Sequence, residues 1–133
     1  KFKIFCYCSD DPVLCKRLED LGCEVVMPLV SPIGSGLGIR NEHNLEIIRS
    51  MCKGLIFVDA GIGRPSDACR IMELGFDGVL LNSAVARSHD PINMAEAMNL
   101  AVKSGRQSFL SGAIKKTKTA VATTTFKGKI SNF

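Results

Sequence analysis

The segment Val58-Asp59-Ala60-Gly61-Ile62-Gly63-Arg64-Pro65-Ser66-Asp67 places an acid, two glycines, a cation and a proline in close succession after the apolar run Leu55 to Val58. Glycines let backbone amides approach a ligand closely, and a helix N-terminus adds unpaired N–H donors and a favourable dipole. A strand, a glycine turn and a helix start in that order fit a phosphate-binding turn. They also fit an ordinary strand-to-helix connection. Asp59 has two readings as well. Partial burial would raise its pKa and suit it to general acid–base work, or its carboxylate braces the loop by accepting backbone N–H bonds. Arg64 either reaches a phosphate or faces water.

Gly34, Gly36 and Gly38 alternate within the stretch from Pro28 to Gly38, which is long for a plain connection. Long loops in compact domains tend to be functional. Asn82 and Ser83 supply an amide and a hydroxyl at the end of a further apolar run. His43 and His89 have no evident triad partner and read as surface residues. The six cysteines sit inside apolar runs, with no C-x-x-C pair and no spacing that suits zinc. They read as reduced thiols that pack as small hydrophobes, Cys8 at a strand end included. Neither a metal nor a cofactor is predicted.

Four strand-then-helix units must position these residues. Phe2 to Cys8 reads as a strand, and Asp11 and Pro12 as N-cap and first residue of a helix that stops at Gly22. Cys23 to Met27 is the second strand, and the helix after it is capped by Asn41 and closed by Gly54. Leu55 to Val58 is the third, with a helix ending at Gly75. Gly78 to Leu81 is the fourth; a short loop then reaches Asp90-Pro91 and a helix stopped by Gly105. Alternation of this kind predicts an α/β fold with parallel strands, either a doubly wound sheet or part of a (β/α)₈ barrel. In both, ligands bind at the C-terminal ends of the strands, where the glycine loops, Asp59, Asn82 and Ser83 fall.

The chain has 133 residues, 46% of them hydrophobic and 23% charged, the composition of one domain with its own core. No apolar run approaches the length of a membrane span, so no membrane partner is expected. The net charge is +4, but Lys115, Lys116, Lys118, Lys127 and Lys129 concentrate it in a Lys/Thr-rich tail from 115 to 133 that is expected to be poorly ordered. Without aromatics interleaved among the basic residues, nucleic acid is not an expected partner.

Ser31-Pro32-Ile33-Gly34-Ser35-Gly36, Val58-Asp59-Ala60-Gly61-Ile62-Gly63 with Pro65-Ser66-Asp67, and Val79-Leu80-Leu81-Asn82-Ser83-Ala84 together resemble the thiazole synthase family of thiamine biosynthesis. Tyr7-Cys8-Ser9-Asp10-Asp11-Pro12-Val13-Leu14 and the segment from Asp90-Pro91 to Met98 support the match in the same order. The resemblance implies an enzyme built as a TIM (β/α)₈ barrel, of which residues 1–114 would be the C-terminal four βα units. Its substrates would be 1-deoxy-D-xylulose 5-phosphate and dehydroglycine, with sulfur from the C-terminal thiocarboxylate of a small sulfur carrier protein. The product would be the thiazole phosphate moiety of thiamine. A homo-oligomer in the full-length family, and bacterial cytoplasm or plastid stroma, are implied in the same way.

In that family a lysine forms a Schiff base with the sugar ketone, and a glutamate and an aspartate are the acid–base candidates. By motif, Asp59 takes the aspartate's role, and Gly34, Ala60, Gly61, Asn82 and Ser83 take the sugar-phosphate contacts. The lysine and glutamate belong to a strand upstream of the segments matched here, and Lys1 and Lys3 do not replace them. The expectation is therefore a sugar-phosphate-binding half without its Schiff-base lysine. The alternative is a non-catalytic half-barrel that binds sugar phosphate or a partner protein. Position 64 is usually threonine in the family, which would complete a capping box with Asp67; Arg64 removes that hydroxyl at a cost of about 1 kcal/mol.

Overall fold

The computed structural model describes residues 2–123. Its elements follow the predicted alternation: β1 (Phe5–Cys8), α1 (Pro12–Asp20), β2 (Val25–Pro28), α2 (Glu42–Met51), β3 (Leu55–Asp59), α3 (Pro65–Glu73), β4 (Gly78–Leu80), α4 (Ser83–Ala86) and α5 (Pro91–Ser111). The strands form one parallel sheet in the order β1-β2-β3-β4. In register, Phe5 lies beside Val25 and Val25 beside Leu55, while Asp59 lies beside Leu80.

That order decides between the two architectures. A doubly wound sheet reverses its strand order at a switch point. Here the order never reverses, and right-handed crossovers of constant direction stack every helix on the same face. The sheet is therefore wound as in half of a (β/α)₈ barrel. Burial agrees. Cys8, Val26, Ile56 and Val58 turn into the core with Leu45, Ile48, Ile71 and Phe76. On the other face Phe5, Tyr7, Leu55 and Leu80 remain between 42% and 52% exposed. Strands apolar on both faces are what a barrel needs, because its interior is filled with side chains.

The helix starts behave as their sequences dictate. Asp11 accepts from the Val13 amide at 2.8 Å, Asn41 from Asn44 at 3.2 Å and Asp90 from Asn93 at 3.1 Å. In α1, α3 and α5 proline occupies a first-turn position, where a missing N–H costs nothing. Gly22 and Gly75, at φ of +88° and +89°, end α1 and α3 as left-handed stops.

Boundaries differ from the sequence reading at several places: β1 starts at Phe5 rather than Phe2, β2 runs Val25–Pro28 rather than from Cys23 to Met27, and the other strand ends shift by one residue. Ser83 to Ala86 is a helical turn rather than loop. Helix α5 also runs through Gly105 to Ser111. Gly105 is a packing residue, not a stop: a Cβ there would lie 2.8 Å from the Met72 Cβ and closer still to the Cys69 carbonyl oxygen, so its bareness lets α5 lie against α3. Residues 113–123 form no helix or strand. Lys127 and Lys129 of the basic tail lie outside the described residues.

All six cysteines are free thiols. Cys8 and Cys15 Sγ lie 3.7 Å apart in the core, on the helix side of the sheet. Among the described residues no helix is long and apolar enough to cross a membrane.

Candidate functional site

The site begins with two interlocked loops at the C-terminal ends of β2 and β3. Ser31 is buried, and its hydroxyl donates to the Gly61 carbonyl at 3.1 Å. The Val30 amide donates to the Ala60 carbonyl at 3.2 Å, and the Gly38 amide to the Gly61 carbonyl at 2.9 Å. These three bonds turn the Ala60 and Gly61 carbonyls toward the neighbouring loop. The turn that allows it is unusual. Ala60 and Gly61 have φ of +83° and +86°, the left-handed region that glycine adopts freely and alanine does not. Steric room is equally restricted: a Cβ on Gly61 would lie 2.6 Å from both the Ser31 nitrogen and oxygen.

The amides of Gly61 and Ile62 meet no acceptor among the described residues. Those of Gly63 and Arg64 do. Asp67 Oδ2 accepts from Gly63 N at 3.0 Å and from Arg64 N at 2.8 Å. The start of α3 is thus partly closed by its own carboxylate, and Pro65 contributes no N–H. Only the Asp67 half of a capping box is present, because a guanidinium has no acceptor. Within the turn the Gly61 and Ile62 amides are left unpartnered among the described residues, and at the start of α3 the Ser66 amide is too.

A cavity of about 560 Å³ opens over this turn. Its lining includes Gly34, Asp59, Ala60, Gly61, Asn82 and Ser83, so one wall unites three separate strand ends. Ile33, Ile62, Leu80 and Leu81 add apolar surface. Burial pushes the Asp59 carboxyl above the usual aspartate range, and the Ala60 amide draws it partly back. A carboxyl so placed holds a proton more readily than a solvated aspartate, as a general acid or base requires.

Other residues singled out in the sequence fall elsewhere. Gly36 lines a second cavity, and Gly38 is buried beneath the Asp67 carboxylate, so of the three alternating glycines Gly34 alone faces the main cavity. Arg64 borders the second cavity and not the first. His43 and His89 are exposed, and Cys8 is buried in the core. Arg87, which the sequence reading passed over, lines both cavities. Its signal was its spacing: it stands four residues after Ser83, on the same side of a helical turn. Among the described residues no group of three or more His, Cys, Asp or Glu side chains could hold a metal ion.

The family profile described as "Thiazole biosynthesis protein ThiG" matches residues 1–125. The chain belongs to the thiazole synthase family. It is 54% identical over 129 residues to the thiazole synthases of Sorangium cellulosum and Geobacter sulfurreducens, covering 97% of this chain and 50% of each relative. The chain therefore spans about half the length of these curated relatives. Among solved structures, the crystal structure of the Amycolatopsis orientalis BexX/CysO complex superposes with a TM-score of 0.80 at 30% identity, over 85% of this chain and 46% of that one. (S)-3-O-geranylgeranylglyceryl phosphate synthase from Thermoplasma acidophilum gives a TM-score of 0.64 at 15% identity over 75% of this chain and 49% of that one, a likeness of fold alone. In the thiazole synthase family, then, the V-D-A-G turn of this chain is a strained left-handed turn at the mouth of a cavity.

Proposed function

We propose that this chain forms the sugar-phosphate-binding half of a thiazole synthase. The observation that carries the reading is the convergence of Gly34, Asp59, Ala60, Gly61, Asn82 and Ser83 on one cavity at the strand ends. The unpartnered Gly61 and Ile62 amides and the Ser83 hydroxyl hold the phosphate of 1-deoxy-D-xylulose 5-phosphate. The Gly34 backbone borders the phosphate, the Asn82 amide fixes the sugar beside it, and the apolar wall of Ile33, Leu80 and Leu81 faces the carbon chain. Asp59, with its raised pKa, takes and returns protons on the bound sugar.

The covalent step uses a Schiff-base lysine that, by the family resemblance, lies upstream of the four units described here. The acceptor for sulfur is then the sugar carbon activated by that imine, and the donor is a sulfur carrier protein bearing a C-terminal thiocarboxylate. The naming of a BexX/CysO complex among the structural neighbours supports such a partner. Dehydroglycine supplies the remaining atoms of the ring. The exposed apolar face with Phe5, Tyr7, Leu55 and Leu80 supports association with further chain, whether the other half of a barrel or a second copy.

Titration calorimetry of the 133-residue chain tests the binding half of the proposal. 1-Deoxy-D-xylulose 5-phosphate is expected to bind, and unphosphorylated 1-deoxy-D-xylulose to bind at least tenfold more weakly, as loss of charge-assisted hydrogen bonds of roughly 1.5–3 kcal/mol demands. Equal affinity for both sugars would refute it.

A further inference from the structure

The main cavity has a neighbour of about 340 Å³, lined by Gly34, Gly36, Gly63, Arg64, Ser83 and Arg87 among others. Gly34, Ser83 and Arg87 belong to both cavities, so they form the junction between them. At that junction a Cβ on Gly34 would stand 3.7 Å from Ser83 Oγ and 4.0 Å from an Arg87 guanidinium nitrogen. The three residues therefore face one another across a space that the glycine keeps open. Unlike Arg49 and Arg70, which are held by Asp77 and by Glu42 and Glu73, Arg87 makes no ion pair and no side-chain hydrogen bond among the described residues. No carboxylate lines the second cavity, and Asp59 is the one acid in the lining of the first.

We propose that Arg87 is the charge-bearing phosphate clamp of this site, holding the ligand's phosphate at the junction of the two cavities against Gly34 and Ser83. The inference rests on the sugar-phosphate reading above and deepens it, because that reading assigns the phosphate to backbone amides and one hydroxyl. Amides and hydroxyls position an anion, but they carry no net charge to oppose that of a phosphate dianion. A guanidinium supplies that charge and a planar fork of donors for two phosphate oxygens at once. Being exposed and unpaired, Arg87 gives up no interaction within the protein to do so. Its backbone amide is fixed by the Ser83 carbonyl at 3.0 Å, so the side chain starts from a set position while its end remains free. Arg64 lines the second cavity but not the first, so it adds positive potential on that side.

The test is calorimetric titration of the 133-residue chain and its Arg87→Ala and Arg87→Lys variants with three probes: 1-deoxy-D-xylulose 5-phosphate, inorganic phosphate and unphosphorylated 1-deoxy-D-xylulose. Arg17→Ala, on the exposed side of α1, is the control for loss of one surface charge, and circular dichroism checks that each variant is folded. Arg87→Ala is expected to weaken both phosphate-bearing probes by roughly tenfold or more while leaving the neutral sugar unchanged, and Arg87→Lys to fall between. Arg17→Ala is expected to match the parent. Binding of the sugar phosphate by the parent with undiminished affinity in Arg87→Ala overturns the clamp and leaves the sugar-phosphate reading intact. An equal loss in Arg17→Ala and Arg87→Ala also overturns it, because the effect would then be one of net charge. Failure of the parent to bind either phosphate-bearing probe overturns both readings together.

Discussion

Replacing Gly61 with alanine is expected to destabilise the chain by about 3–6 kcal/mol, through three separable effects. An L-residue at a φ of +86° pays about 1–2 kcal/mol for left-handed backbone. The added methyl would lie 2.6 Å from the Ser31 nitrogen and oxygen, and overpacking of this kind costs about 1–3 kcal/mol. Relief of that clash separates the two loops and breaks the hydrogen bond from Ser31 to the Gly61 carbonyl, a further loss of about 1 kcal/mol. Against a total stability of about 5–15 kcal/mol for a small domain, such a change is large. Urea denaturation followed by circular dichroism reads it as a fall in midpoint at unchanged slope. Ala60→Gly in the same turn supplies the opposite sign. It relieves left-handed strain of about 1–2 kcal/mol at φ +83° and loses about 0.4–1 kcal/mol to the added freedom of the unfolded chain, so it should be neutral to slightly stabilising. A Gly61→Ala midpoint within about 1 kcal/mol of the parent would refute the interlocked turn. So would a destabilising Ala60→Gly.

Gly105→Ala should also destabilise, although alanine is the better helix former by about 1 kcal/mol, because its methyl would meet Met72 and the Cys69 carbonyl between α3 and α5. A melt that shows stabilisation would mean that the helix contact is looser than described. Asp59→Asn tests the half-buried carboxyl through its pH dependence. A folded pKa above the unfolded value means that the folded state holds its proton longer, so the contribution of Asp59 is fully present below the unfolded pKa and is lost as pH rises through the folded one. The stability of Asp59→Asn relative to the parent should therefore climb with pH from near the ordinary aspartate value, about 3.9, through the raised one, and then level off; urea midpoints that show no such climb would place Asp59 in solvent. Borohydride reduction of the chain with 1-deoxy-D-xylulose 5-phosphate should leave its intact mass unchanged, since the Schiff-base lysine is assigned upstream. A reduced adduct would show that a lysine of this chain takes that role.

The element pattern was legible because its signals are local and redundant. Aspartate before proline set the starts of α1 and α5, and Asn41 set that of α2, each through a side-chain oxygen that accepts a first-turn amide. What local pattern could not settle was the choice between a doubly wound sheet and a barrel half, since both alternate strand and helix in the same way. Strand order settles it, and strand order depends on contacts between distant segments. The reach of α5 escaped for a related reason. Gly105 looks like a stop in one dimension, and only the presence of α3 against it makes a missing Cβ an advantage.

Gathering of the site at the strand ends was legible too, as a consequence of parallel α/β architecture, but the hydrogen bonding within it was not. The order strand, glycine turn, proline pointed to the N-terminus of α3 as the anion grip. In the fold part of that start is already occupied: Asp67 accepts from Gly63 and Arg64, and Pro65 has nothing to donate. The same carboxylate explains how the chain tolerates arginine where threonine would complete a capping box, since the half of the box that Asp67 provides does not depend on residue 64. The proposed anion grip then falls on amides that no rule of helix capping would single out. Gly61 and Ile62 are available because Ser31, Val30 and Gly38 hold the Ala60 and Gly61 carbonyls on the other side of the turn. A single strained alanine is the cost of that arrangement, and strain maintained by three hydrogen bonds at the mouth of a cavity is what makes this turn the place to test for a ligand.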